Sequence, residues 1–332
     1  MHSIGIIGAG RIARVHAANA VLLDELRVVA VADVEPDAAR AIADELGCDV
    51  AADADELLAR DDVEAVLITT PPATHADLVV AAANAGKHVF CEKPLAQTVV
   101  EAKRAAAACE QAGVLLQVGY NRRFDENFRA VHEAVRGGRI GEPWILRISS
   151  RDPEPPPPTY LPVSGGLFLD TTSHDFDLAR FVLGADIVEI AARATSLADQ
   201  HAKEIGDVDT AVVSLVFSNG AIGAIDNCRS SKYGYDQRLE VHGSEGMAQA
   251  ANEAGSSVVI ADAAGFHTAP LKHFYMDRYA PAFLRELESF ARALDGAEPE
   301  VTGRDGLAAV VAATAALRAV REDRVVRIDE VV

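Results

Sequence analysis

Two stretches of this chain carry residue types that could handle an alcohol proton. The first is HVFCEKPL, residues 88–95. Val89, Phe90 and Cys91 read as a buried strand, and Glu92, Lys93 and Pro94 follow at its carboxyl end. Burying an ammonium there without purpose is costly. Pro94 biases Lys93 toward an extended backbone and so gives the amine a direction. Such a lysine suits a hydrogen bond to a substrate hydroxyl, although the octapeptide alone fits the start of a solvated loop equally well. The second stretch is SGGLFLDTTSHDFDLARF, residues 164–181. From Leu167 onward it has helical character. Asp170, His174, Asp177 and Phe181 share one stripe, and Leu169, Thr172, Phe176, Ala179 and Leu183 form an adjacent stripe suited to a core. Imidazole titrates near neutral pH, so His174 can accept an alcohol proton. Asp170, one turn away, can bind a hydroxyl or steady the imidazolium. Spacing alone also fits a charge pair on a partly exposed helix; Gly165 and Gly166 ahead of it permit a close backbone approach.

An alcohol oxidised at such groups needs a hydride acceptor, and the start of the chain offers a place for one. Ile4–Ile7 is a short apolar strand running into Gly8-Ala9-Gly10-Arg11-Ile12-Ala13 and then a helix patterned by Val15, Ala18, Val21 and Leu22. Gly8 makes the tight turn, Gly10 lets a pyrophosphate approach the backbone, and Ala13 allows close helix–strand packing. The first helical turn, with Arg11 and Ile12, then faces the phosphates. A second strand, Val28–Ala32, ends at Asp33, ~20 residues beyond the glycines, where a ribose-binding acid belongs. Its carboxylate would repel a 2′-phosphate, and Val34 and Glu35 supply no cation to pair one. NAD is therefore expected over NADP. Further on, the strand Val63–Ile68 ends in Thr69-Thr70-Pro71-Pro72, a rigid turn at a carboxyl strand end, where open sheets bind ligands. Those four residues are expected to line the cofactor. His75 could reach a ribose or nicotinamide group, or stand exposed in the first turn of the next helix.

Alternating strands and helices over ~120 residues predict a doubly wound parallel sheet in residues 1–119. After Gly119 the pattern changes. A helix is expected at 124–136, then a strand at Trp144–Ser150, a stiff run of four prolines at 155–158, and longer alternating strands at 187–194, 210–217, 221–227, 237–242 and 258–261. Residues 120–332 therefore read as an α+β domain on a large, open, mainly antiparallel sheet. Helices are expected at 279–294 and 305–321.

The chain has 332 residues and a formal net charge of −19, which argues against nucleic acid or an anionic membrane as partner. Four scattered cysteines, with no CxxC pair, read as reduced thiols and not as a metal cluster. No HExxH occurs, and no metal is expected. The first strand begins at Ile4, leaving no room for a signal peptide, and no apolar run approaches the ~20 residues of a membrane span. A cytoplasmic protein is expected.

These motifs together resemble the glucose–fructose oxidoreductase / inositol dehydrogenase family. The residues that carry the likeness are GIIGAGRIA at 5–13, AD at 32–33, TTPP at 69–72, EKP at 92–94, GYNRRFD at 119–125 and GGLFLDTTSHDFDLARF at 165–181. SRDPEPPP at 150–157 and YGYDQRLEVHG at 233–243 resemble the branch that oxidises inositol. The resemblance implies an NAD-dependent enzyme acting on a ring secondary alcohol of a small-molecule polyol, usually a homotetramer, with its active site between two domains. It places Lys93, Asp170 and His174 at the catalytic positions, adds Glu92 to the cofactor's surroundings, and suggests substrate contacts from Arg123 and Tyr235. Some family members carry His and Asn where this chain has Arg151 and Asp152. Arg151 is either a donor to a substrate hydroxyl or a surface arginine. A different inositol isomer, an aldose, or a non-catalytic NAD-binding sensor on the same fold are the alternatives.

Overall fold

The computed structural model describes residues Met1–Val332. Its first part alternates β1 (His2–Ile7), α1 (Arg11–Val21), β2 (Leu26–Ala32), α2 (Pro36–Leu46), β3 (Asp49–Val50), α3 (Ala54–Leu58), β4 (Ala65–Ile68), α4 (Pro72–Asn84), β5 (His88–Glu92), α5 (Val99–Ala112) and β6 (Leu116–Gly119). The six strands form one parallel sheet in the order β3-β2-β1-β4-β5-β6. The order reverses beside β1, the switch point at which doubly wound sheets bind ligands. Local chemistry sets the helix ends. Thr98 and Glu101 cap α5 reciprocally, and Pro72 opens α4 at a position where its missing N–H costs nothing.

The chain continues with α6 (Glu126–Arg136), β7 (Pro143–Arg151), a π-helical turn at Phe168–Thr172, α7 (Ser173–Leu183), β8 (Ile187–Thr195), α8 (Gln200–Glu204), β9 (Thr210–Phe217), β10 (Ile222–Cys228), β11 (Asp236–Gly243), β12 (Gly246–Ala250), β13 (Val259–Asp262), β14 (Gly265–Thr268), α9 (Tyr275–Leu294), α10 (Gly303–Glu322) and β15 (Val326–Arg327). Seven strands form a mixed sheet, β12-β11-β7-β10-β9-β8-β15, in which only the β7–β10 pair is parallel. Burial alternates along β9, β10 and β11, so one face of the sheet is covered and the other is open.

Contacts group the chain into two compact units, Met1–Phe124 with Pro281–Val310, and Asp125–Ala280 with Val311–Val332. The change of pattern after Gly119 predicts a single boundary; the chain instead returns to the first unit. Leu287 and Phe290 of α9 pack into the same core as Ile4, Ile6, Leu67 and Phe90 of the parallel sheet, burying apolar surface that the sheet would otherwise expose. Helix α1 also differs from its predicted pattern. Val21 and Leu22 are exposed, and the buried face is Ala13, His16, Ala17 and Ala20. Small residues win there because the helix lies close against the strands, where a valine or leucine would hold it off.

Candidate active site

In the first unit the expected cofactor residues gather at the carboxyl ends of β1, β2, β4 and β5. Gly8 has φ +98°, and a Cβ on it would lie 2.8 Å from the backbone between Thr69 and Thr70. The turn therefore admits only glycine. The Thr69 hydroxyl donates to the carbonyls of Gly8 and Ile7, at 2.9 and 3.1 Å, tying the end of β4 to that turn. Gly10 begins α1 without a side-chain cap, and nothing lies within 4 Å of where its Cβ would be. That open space, at a helix N-terminus continued by Arg11 and Ile12, fits a pyrophosphate. Asp33 is set at the end of β2, its carboxylate accepting the N–H of Ala9 at 2.5 Å and of Glu35 at 2.8 Å. Its neighbour Val34 is exposed, and the next residue is the acidic Glu35, with no basic residue before Arg40. The residues present fit a dinucleotide with a bare ribose.

His75 is not where either expectation puts it. It is buried, with Nδ1 2.7 Å from the Pro94 carbonyl and Nε2 2.8 Å from the Thr70 carbonyl. A neutral ring carries one N–H and donates to one of these carbonyls while its other nitrogen faces the second, so neither nitrogen is turned toward a ribose. The ring instead ties the Thr69–Pro72 turn to the Glu92–Pro94 segment. Burial holds its pKa below the ordinary imidazole value, against the pull of the two carbonyls.

Lys93 follows β5, half-buried, and its peptide bond to Pro94 is cis. Glu92 is buried; Oε1 lies 2.7 Å from His16 Nε2, and Oε2 accepts the backbone N–H of Lys93 at 3.2 Å. Its carboxylate thus braces the segment that bears the lysine. His16 escapes the sequence patterning; the signal was its place on the alanine face of α1, three residues after Ala13. Glu286 of α9 brings a second carboxylate within 4.8 Å of that pair. At 2.7 Å, His16 and Glu92 sit at hydrogen-bond distance, closer than two ligands of one metal ion stand.

In the second unit the Asp170–His174 segment is helical but not a plain α-helix. Asp170 lies in the π-helical turn and His174 in the first turn of α7, both half-buried. The widened turn is fixed from β10. The Thr172 hydroxyl donates to Asn227 Oδ1 at 2.7 Å, and Asn227 Nδ2 donates to Asp175 at 2.8 Å, all three residues buried. Single π-turns inside helices re-aim side chains and recur at functional sites. Asp170 Oδ1 accepts the Tyr160 hydroxyl at 2.9 Å, and Oδ2 accepts Arg229 Nη2 at 3.2 Å. Neither donor is legible as a partner in the sequence. Burial, reinforced by the Asp170 charge, raises the pKa of Tyr160 far above the phenol range, so the hydroxyl remains a donor.

Three residues expected at the substrate have protein partners of their own. Arg151 points away from Asp170 and His174. Ser150 pairs in register with Asn227, which reaches the helix, so Arg151, one residue on, faces the opposite side of the sheet. There it binds Asp226 at 2.5 Å and the Tyr233 hydroxyl at 2.8 Å. Arg123 is buried in the first unit, paired with Asp305 at 3.0 Å and donating to the Glu300 carbonyl at 2.8 Å. Burial alone would raise the Asp305 pKa, but the Arg123 charge and the Thr302 hydrogen bonds bring it down to about 2. Tyr235 is buried edge-on against Tyr279, ring centroids 6.0 Å apart.

Comparison with known proteins identifies the family. Residues 2–120 match an oxidoreductase family described as an NAD-binding Rossmann fold, and residues 128–249 match the GFO/IDH/MocA C-terminal domain. The chain is 44% identical to the myo-inositol 2-dehydrogenase of Thermotoga maritima over 331 residues, 99% of each protein. It is 45% identical to the inositol 2-dehydrogenase of Rhizobium meliloti over 325 residues, 98% of each. The crystal structure of scyllo-inositol dehydrogenase from Lactobacillus casei, with bound NAD(H) and scyllo-inositol, superposes with a TM-score of 0.91 at 28% identity, covering 99% of both chains. No helix of the present chain is long and apolar enough to cross a membrane. The fold, the dinucleotide cradle and these likenesses place the chain in the GFO/IDH/MocA family of NAD-binding oxidoreductases.

Proposed function

We propose that this protein is an NAD-dependent inositol 2-dehydrogenase, oxidising the ring hydroxyl of myo-inositol to 2-keto-myo-inositol (scyllo-inosose), with Lys93, Asp170 and His174 as the catalytic groups. The observation that carries this reading is the Asp170 carboxylate, set in a π-helical turn with a fixed donor on each oxygen and His174 four residues on. Relatives named for inositol oxidation support the substrate class.

NAD, when bound, supplies the hydride acceptor. His174 accepts the hydroxyl proton. The Lys93 ammonium hydrogen-bonds the same oxygen and offsets the negative charge that gathers on it as the C–H bond breaks. Asp170 orients His174 or the neighbouring hydroxyl. The carbinol thereby loses a hydride and a proton and becomes a ketone. Asp33 selects NAD by repelling a 2′-phosphate. Thr69, Thr70, Pro71 and Pro72 would line the cofactor, and Tyr235 would contribute to the substrate's surroundings.

The open face of the second sheet presents Val212, Ile222 and Met247 to solvent. Apolar residues on an uncovered sheet suit association with further copies, and we expect a homotetramer, to be read by light scattering. All four cysteines are free, in keeping with a cytoplasmic protein. The functional test is NAD reduction with myo-, scyllo- and chiro-inositol and several aldoses. Highest kcat/KM with myo-inositol is expected. Preference for another isomer or an aldose overturns the substrate assignment, and no turnover with any polyol favours the sensor.

A further inference from the structure

Arg229 is the largest fully buried side chain in the protein, with no exposed surface. A guanidinium taken out of water is costly unless its charge and N–H groups are matched. Its terminal nitrogens meet two carboxylates from distant segments: Nη1 donates to Asp207 Oδ2 at 2.9 Å, and Nη2 to Asp170 Oδ2 at 3.2 Å. Its Nε finds no acceptor. The side chain is therefore placed for the two carboxylates and not for its own complete solvation.

Asp207 does more than neutralise it. Oδ1 accepts the Leu167 N–H at 3.3 Å, at the start of the helical segment. The same oxygen would lie 2.9 Å from a Cβ on Gly166, whose φ is +85°. Asp207 thus holds both the backbone just ahead of the π-turn and the arginine that grips Asp170 within that turn. Tyr160 fixes the other Asp170 oxygen. An ionised carboxylate has about four acceptor directions; at least two are taken by fixed donors, one on each oxygen, so the plane of the carboxylate is set.

We propose that Arg229, anchored by Asp207, is a positioning residue for Asp170, fixing the orientation in which that carboxylate meets the substrate hydroxyl or His174. This rests on the catalytic reading of Asp170 given above. A competing role is purely structural: a buried ion pair that only holds the segment at 166–170 in place. The two differ in whether the effect of Arg229 on turnover passes through the Asp170 carboxylate.

The test uses the full-length enzyme with NAD and myo-inositol. Arg229→Met, Arg229→Lys, Asp207→Asn, Asp170→Asn and the Arg229→Met/Asp170→Asn pair are compared by kcat and by KM for NAD. Misplacing a reacting geometry by ~1 Å costs up to ~100-fold. Arg229→Met is therefore expected to lower kcat by ~10- to ~100-fold with KM for NAD unchanged. Arg229→Lys, which keeps the charge but not the fork, should fall between it and the parent. In the Asp170→Asn background the same arginine change should cost less than about twofold, because the group it positions is already disabled. If Arg229→Met does not fold, Asp207→Asn is compared in the parent and the Asp170→Asn backgrounds instead: a kcat loss confined to the parent supports positioning, and an equal factor in both overturns it. If Asp170→Asn lowers kcat but Asp207→Asn and the folded arginine variants do not, the positioning role is wrong. It is equally wrong if the arginine effect has the same factor in both backgrounds. If Asp170→Asn keeps full kcat, the catalytic reading of Asp170 fails, and the positioning role fails with it.

Discussion

The two units build their functional sites from different materials. In the first, the site is mostly backbone: a glycine turn, a helix N-terminus and the carboxyl ends of neighbouring parallel strands, with Asp33 as the side chain proposed to set cofactor choice. In the second, it is side chains on a helix, and their placement depends on β10, whose inward residue Asn227, with Arg229 just beyond the strand, reaches the π-turn. A backbone-built site is specified over a dozen consecutive residues. A side-chain site braced by an ion network draws on residues 160, 170, 207 and 229, which only the fold assembles.

The largest expected effects fall on the groups assigned to chemistry. General acid–base catalysis contributes ~10²–10⁴-fold, so His174→Ala should retain folding and NAD binding while kcat falls by about that range. Lys93→Ala should fall comparably. Stopped-flow NAD reduction and a cofactor titration would separate turnover from binding. Next comes the backbone-built site. Asp33→Asn removes the charge and keeps an acceptor for one of the two N–H groups, since Ala9 and Glu35 bind different carboxylate oxygens. It should raise the ratio of kcat/KM with NADP to that with NAD by ~10-fold or more, roughly 1.4 kcal/mol or above. An unchanged ratio would show that Asp33 does not set cofactor choice.

That contrast also explains what the sequence could tell. The Gly8–Ala13 turn, Asp33, the Glu92-Lys93-Pro94 segment and the spacing of Asp170 and His174 are local patterns, readable because few neighbouring residues define each. Tyr160 and Arg229 had no local signal: one follows a proline run, the other lies 59 residues beyond Asp170. The direction of Arg151 was readable in principle. In the strand at 143–151, Leu146, Ile148 and Ser150 are buried, so residue 151 belongs to the other face. Family likeness drew attention to the residue and strand alternation corrects it. Arg123 was beyond such reasoning, since its partner Asp305 arrives only when the chain returns to the first unit.

Smaller effects follow from these reassignments. Against the effect of burial, the Arg123 charge and the Thr302 hydrogen bonds hold the Asp305 pKa at about 2, below the ordinary aspartate value of ~4. The ionised carboxylate is favoured by folding, so its contribution is present above pH ~4 and is lost as pH falls toward ~2. One pKa unit corresponds to ~1.4 kcal/mol, which puts the contribution near ~2 kcal/mol. Denaturant melts of the parent and Asp305→Asn from pH ~6 downward should converge by that amount; parallel curves would contradict the Arg123–Asp305 assignment. Smallest of all, Arg151→Gln should leave kcat and KM for the polyol within about twofold, because the side chain is spent on Asp226 and Tyr233. A loss of ~100-fold would return Arg151 to the substrate.

The most direct test of the central claim is single-turnover NAD reduction by Lys93→Ala, His174→Ala and the double variant. Groups that serve one carbinol in one step act as a unit and are strongly non-additive. The double variant is expected to be slowed little beyond the slower single variant. Losses that multiply, or a single variant that keeps the parent rate, would contradict a shared step at one alcohol.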